Sequence, residues 1–208
     1  MSRPLLISDC DEVLLHMVVP FRDWLDDVHD VHFALENDDF VNALRRKACG
    51  TVLERGEVWD MLRKFFATEM HRQYPISGAL EALDRLSAIA DVVILTNIGE
   101  QEHEDRIAQL QALGVRHPVH WNQGGKGAPV RRLIDRYAPS AVVFVDDLAQ
   151  HHQSVADHAP ESWRLHMVGE PLLSRHIAPA AAAHARIDSW DKAEQWIANR
   201  LSEGAAPR

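Results

Sequence analysis

Two aspartates separated by one residue stand where an apolar run ends, in Leu5-Leu6-Ile7-Ser8-Asp9-Cys10-Asp11-Glu12-Val13. In a strand, residues two apart share a face, so Asp9 and Asp11 aim two carboxylates into one small volume. Like charges that close need a metal, a lysine or a proton to compensate them. Three further groups could supply or share that compensation. Thr96-Asn97 and Asp146-Asp147 each follow an apolar run, and Gly124-Gly125-Lys126-Gly127 precedes a helical pattern. Together they offer carboxylates, a hydroxyl, an amide and a fixed cation. Hard oxygen ligands of this kind suit Mg²⁺, which also bridges to phosphate oxygens. Lys126 suits a phosphate as a point cation. A carboxylate in such a site can act as a nucleophile.

These residues can act together only if the chain brings them to one place. Three apolar runs, Pro4–Ser8, Val92–Leu95 and Ala141–Val145, read as strands buried on both faces of a parallel sheet. Pro118–Trp121 and Arg164–Val168 are weaker candidates. Helical patterns alternate with them. One is capped by Ser77 and runs to about Ile89, with Leu80, Leu83 and Leu86 in register. A second covers Glu102–Leu113, with Ile107, Leu110 and Leu113, and Gly114 as a stop. A third covers Pro129–Tyr137. The alternation predicts an α/β, Rossmann-like parallel sheet flanked by helices. Ligands of such sheets sit at the carboxyl ends of the strands, where Asp9, Asp11, Thr96, Asn97, Asp146 and Asp147 fall.

Residues 15–75 break the rhythm. They contain no convincing strand, and Phe21–Val28, Asp38–Arg46 and Glu57–Met70 read as helices. We expect an inserted α-helical cap over 15–75, with the core domain formed by 1–14 and 76–208. Trp24, Trp59, Phe65 and Phe66 are expected in the core of that cap. Arg45-Arg46-Lys47 reads as a solvated helix face or, more sharply, as a patch for an anionic substrate tail. Trp190–Leu201 reads as a closing amphipathic helix.

Composition narrows the partners. The 208 residues are 46% hydrophobic and 25% charged, ordinary for a globular protein. A net charge of −9 argues against nucleic acid, and no apolar run of membrane-spanning length exists. Cys10 and Cys49 alone make a poor disulfide framework, so a reducing, cytoplasmic setting is expected. Cys10, between two aspartates, reads as a small apolar residue. The thirteen histidines, His16, His151 and His152 among them, read as surface or supporting groups beside a carboxylate site.

The order Asp9-Cys10-Asp11-Glu12-Val13, then Thr96-Asn97, then Lys126, then Asp146-Asp147 resembles the four-motif signature of the haloacid dehalogenase-like hydrolase superfamily. The resemblance spans about residues 4–150, and the insertion falls where that family places a cap. It implies a phosphatase acting on a small phosphorylated metabolite with Mg²⁺. By the same resemblance Asp9 is the nucleophile that becomes phosphorylated. Asp11 protonates the leaving group and then activates water. Thr96, Asn97 and Lys126 bind the substrate, with Thr96 and Lys126 holding the phosphoryl group. Asp9, the backbone carbonyl of Asp11, and Asp146 hold the metal, and Asp147 helps place it directly or through water.

Glu12 departs from the family pattern, in which many relatives carry glycine. A carboxylate turned into the pocket would repel phosphate. Val13 lies within the family's range. Three rivals follow. A 2-haloacid dehalogenase uses the same nucleophile on carbon without Mg²⁺, but typically lacks an equivalent of Asp11. A phosphonatase needs a cap lysine, for which Lys47 and Lys64 are available. A non-catalytic binding protein on the same fold is encouraged by Glu12 alone.

Overall fold

The computed structural model describes residues 2–34 and 42–206. Along the chain, β1 (Leu5–Ser8) is followed by β2 (Leu15–His16), α1 (Val18–His29), β3 (Val31–Phe33), β4 (Leu44–Arg46), α2 (Arg55–Thr68) and β5 (Tyr74–Pro75). Helix and strand then alternate. The order is α3 (Ala79–Ser87), β6 (Asp91–Asn97), α4 (His103–Ala112), β7 (Val119–Asn122), α5 (Gly127–Tyr137), β8 (Val142–Asp146), α6 (Ala149–His158) and β9 (Trp163–His166). The chain closes with α7 (Pro171–Ser174), β10 (Ala185–Arg186) and α8 (Trp190–Glu203).

Six strands form one parallel sheet in the order β10-β9-β8-β1-β6-β7. The strands read as apolar runs because both faces are covered. Alternate residues of β1 show this directly. Leu6 packs with Val92, Ile94, Leu83 and Ile197 on one side of the sheet. Leu5 and Ile7 pack with Phe144, Val130 and Val155 on the other. The register sets Ser8 beside both Ile94 and Val145. Asp9, Thr96 and Asp146 therefore reach the same edge of the sheet.

Between β1 and α3 the chain builds a second core of its own. Its buried members all come from residues 18–65, including Val18, Phe21, Trp24, Leu25, Leu44, Val58 and Phe65. The rings of Phe21, Trp24 and Phe65 lie within 5.4–6.0 Å of one another, centroid to centroid. The segment leaves and returns side by side, because β2 pairs antiparallel with β5.

Sequence reasoning erred here in one respect. The insertion is not purely helical among the described residues, because β3 and β4 form an antiparallel pair. Of the expected helix Asp38–Arg46, residues 38–41 lie outside the described residues, and Leu44–Arg46 is strand. Leu44 sits opposite Phe33 and shares its buried face. Strands of two or three residues carry no period of their own, so tertiary pairing decides them. Ser77 is not a cap either. Gly78 occupies the N-cap position of α3, at φ 77°.

Candidate active site

The strand ends converge on Lys126. Its Nζ lies 2.8 Å from Asp9 Oδ1 and 2.7 Å from Asp146 Oδ2, and the lysine is fully buried. Close packing of α5 on α6 holds it there. A Cβ on Gly127 would fall 2.0 Å from the Ser154 carbonyl oxygen, so only glycine lets the helix start so near. Asp9 Oδ1 also accepts from the Cys10 N–H (2.7 Å), and Asp146 Oδ1 from the Leu148 N–H (2.9 Å).

Asp147 joins this group, and one carboxylate oxygen from each of Asp9, Asp146 and Asp147 lies within 4.8 Å of the others. Three carboxylates face one ammonium, and the electrostatics register the shortfall. Burial, only partly offset by Lys126, raises Asp9 to about 7. Burial and the charges of Asp146 and Asp9 hold Asp147 well above its ordinary value. Burial opposes ionisation of Asp146 too, but Lys126 overcomes it and keeps that group low.

Asp11 is held elsewhere. Arg106, fully buried on α4, donates from one terminal nitrogen to both Asp11 oxygens, at 3.0 and 3.1 Å. Gln73 Nε2 donates to Asp11 Oδ1 (2.7 Å), and the Thr96 hydroxyl lies 3.4 Å from Oδ2. The other Arg106 terminal nitrogen sits 2.9 Å from Cys10 Sγ. Burial pushes the Cys10 thiol up to about 12, as befits a small uncharged side chain. The guanidinium also lies 5.7 Å from the Phe66 ring of α2.

Glu12 lines the same cavity as Asp9 and Asp11, but one of its carboxylate oxygens is engaged away from them. It sits at φ 58°, a left-handed conformation that glycine adopts without strain. Its Oε1 accepts from the backbone N–H groups of Met17 (2.8 Å) and Val18 (2.7 Å), at the start of α1. The side chain thus ties the end of the sheet to the first helix of the insertion. Its Oε2 is buried without a partner, and burial raises the group to about 7.

Asn97 braces the loop before Lys126. Its Nδ2 donates to Gly124 O (2.9 Å), and its Oδ1 accepts from Asn122 (3.0 Å). His151 and His152 are buried rather than superficial. His152 Nε2 lies 3.0 Å from Asp146 O, and His166 Nε2 lies 2.7 Å from Asp147 O. His166 Nδ1 accepts from the Ala180 N–H (2.9 Å), which leaves Nε2 as the donor. His16 sits 3.1 Å from Glu170.

A cavity of about 420 Å³ opens over this floor and is lined by Asp9, Asp11, Glu12, Asn97 and Asp147. Its other walls come from the insertion, from the start of α6 (Leu148, Gln150 and His151) and from the α7 region. Trp24 and Phe65 are core, as expected, but Trp59 is 40% exposed and lines this cavity with Phe66. The register of α2 explains the division. Val58 and Phe65 point inward, while Trp59, Leu62 and Phe66, at spacings of three and four, form the neighbouring stripe. The basic run does not reach the cavity. Arg46 pairs with Glu57, and Lys47 Nζ lies 2.7 Å from Asp26 Oδ1.

Sequence reasoning missed Arg106, Gln73 and the anchoring role of Glu12. Arg106 did leave a signal, since it lies four residues before buried Leu110, on the same face of α4.

The chain matches no protein-family model and no curated protein. Solved structures do resemble it. A haloacid dehalogenase-like family hydrolase from Streptococcus pneumoniae superposes with a TM-score of 0.64 at 10% identity, over 93% of this chain and 97% of that one. YfnB from Bacillus subtilis, a HAD-hydrolase candidate bound to magnesium, gives 0.64 at 12% identity, over 95% and 99%. A predicted phosphoglycolate phosphatase from Haemophilus somnus gives 0.58 at 12%, over 92% and 97%.

The fold is that of the haloacid dehalogenase-like hydrolases. On this fold Asp9, Asp146 and Asp147 offer hard oxygen donors, and the charge they leave uncompensated fits a divalent cation such as Mg²⁺. No helix among the described residues is long and apolar enough to cross a membrane.

Proposed function

We propose that this chain is a Mg²⁺-dependent phosphatase of a small phosphorylated metabolite, working through an aspartyl-phosphate on Asp9. The observation that carries the reading is the convergence of Asp9, Asp146 and Asp147 around a buried lysine. Mg²⁺, held by Asp9, the Asp11 carbonyl and Asp146, with Asp147 beside them, would neutralise charge on the transferring phosphoryl group.

An Asp9 oxygen attacks phosphorus, and the bond from phosphorus to the leaving oxygen breaks. Asp11, which must take up a proton before this step, gives that oxygen its proton. A water molecule then attacks phosphorus and passes a proton back to Asp11. The Asp9–phosphorus bond breaks, releasing phosphate and restoring both carboxyl groups. Thr96 and Lys126 steady the phosphoryl oxygens throughout, and Asn97 keeps the loop carrying Lys126 in place. Arg106 and Gln73 position Asp11, which must exchange one of these contacts for the leaving group.

Two rivals lose support. A 2-haloacid carries a carboxylate, and no Lys or Arg is among the described residues lining the cavity. The binding-protein reading rested on Glu12, whose Oε1 is engaged with α1. Two unpaired cysteines support a reducing, cytoplasmic setting. The test is hydrolysis of p-nitrophenyl phosphate with Mg²⁺ and with EDTA. We expect Mg²⁺-dependent turnover that Asp9→Asn lowers by about 10³-fold or more. Unchanged turnover in that variant, or halide release from a 2-haloacid in EDTA, would overturn the assignment.

A further inference from the structure

The walls of the cavity above Asp9 speak to the alcohol half of the ester. Acidic and apolar side chains dominate them, with Gln150, His151 and His176 as further polar members. At the floor are the carboxylates of Asp9, Asp11, Glu12 and Asp147. Away from it stand Phe33, Trp59, Leu62, Phe66, Leu173 and Ile177. A neighbouring cavity of about 590 Å³ shares Phe33 and His176 with this one. It has two arginines: Arg22 pairs with Asp23 at 2.7 Å, Arg175 Nε donates to the Pro171 carbonyl at 3.2 Å, and Asp26 and Asp27 face the same space.

A second anionic group on the substrate would meet four carboxylates and no lysine or arginine among the described residues lining the cavity, only His151 and His176, and would leave that apolar wall wet. An uncharged apolar group would cover the wall, and its burial is favourable in proportion to area. A volume of about 420 Å³ lies in the ordinary range for small ligands.

We propose that the substrate is a phosphomonoester of an uncharged, apolar alcohol, aromatic or short-chain aliphatic, and that Trp59, Leu62 and Phe66 select it. This rests on the phosphatase reading above, and the test separates the two. Rates are compared for 2-phenylethyl phosphate, ethyl phosphate and 2-phosphoglycolate with Mg²⁺. These are all esters of alkyl alcohols, so the comparison reads the tail more than the leaving group. In parallel, calorimetry compares the binding of 2-phenylethylphosphonate and 2-carboxyethylphosphonate, which needs no turnover.

The expected result is a kcat/KM at least about tenfold higher for 2-phenylethyl phosphate than for either other ester. The phenylethylphosphonate should bind tighter than its carboxyethyl counterpart. Leu62→Arg should reverse both preferences, and Trp59→Ala, at a half-exposed position, should raise KM for the phenylethyl ester alone. Preference for 2-phosphoglycolate, or equal binding of the two phosphonates, overturns the proposal. No turnover of any ester, with phenylethylphosphonate still bound preferentially, overturns the phosphatase reading and sustains the apolar site.

Discussion

On one side of the end of β1, Lys126 sits between Asp9 and Asp146 at 2.8 and 2.7 Å; on the other, Arg106 grips Asp11 at 3.0 and 3.1 Å. Both cations are fully buried, yet their settings differ. Around Lys126 the carboxylates outnumber the cation, and Asp9 and Asp147 are raised as a result. Around Arg106 a single carboxylate meets a single guanidinium, with Gln73 as a further donor. The first region lacks positive charge and suits a divalent ion and a phosphoryl group. The second is balanced, and suits a group that must be aimed rather than activated. One residue of separation in sequence thus yields two carboxyl groups in different settings, which fits the different tasks proposed for them.

Removing each cation should separate these tasks. Lys126→Met has the larger expected effect. It takes away the proposed phosphoryl contact and leaves Asp9 and Asp146 without their lysine, so turnover should fall roughly 10²–10³-fold. Stability should fall by about 3–5 kcal/mol in a denaturant titration. Arg106→Met should cost less stability, about 2–3 kcal/mol, because Asp11 keeps Gln73 and some solvent contact. Its activity loss should grow with the pKa of the leaving alcohol, being greater for ethyl phosphate than for p-nitrophenyl phosphate. Equal losses on both esters would contradict the positioning role.

The smallest effect concerns the link between sheet and insertion. Glu12→Ala should destabilise by about 1–2 kcal/mol, since two N–H groups at the start of α1 lose their acceptor. Glu12→Gln keeps an oxygen at that point and should retain most of the stability. Thermal melts of the two variants check this.

The sheet was legible in the sequence because continuous apolar runs such as Val92–Leu95 and Ala141–Val145 are what two-sided burial demands. The aspartates and Thr96 drew notice because they stand at the ends of such runs, and Lys126 because it stands just before a helical pattern. The insertion was read less well. β3 and β4 are three residues each, and only their mutual pairing makes them strands. Trp59 and Phe66 could not be told from Trp24 and Phe65 without the rotation of α2 about its axis. Arg106 reaches Asp11 across 95 residues of sequence, and local spacing marks only its apolar register. Glu12 was noticed for its charge, whereas its place depends on backbone conformation and on the helix it anchors.

In the proposed reaction Asp9, and not its neighbour, carries the phosphoryl group. Rapid quench of a turnover with Mg²⁺, followed by borohydride reduction and tandem mass spectrometry, reads it directly. A phosphorylated aspartate is reduced to homoserine, and the account predicts homoserine at position 9 and aspartate at 11, 146 and 147. Homoserine at position 11, or phosphate retained on His151, would contradict it.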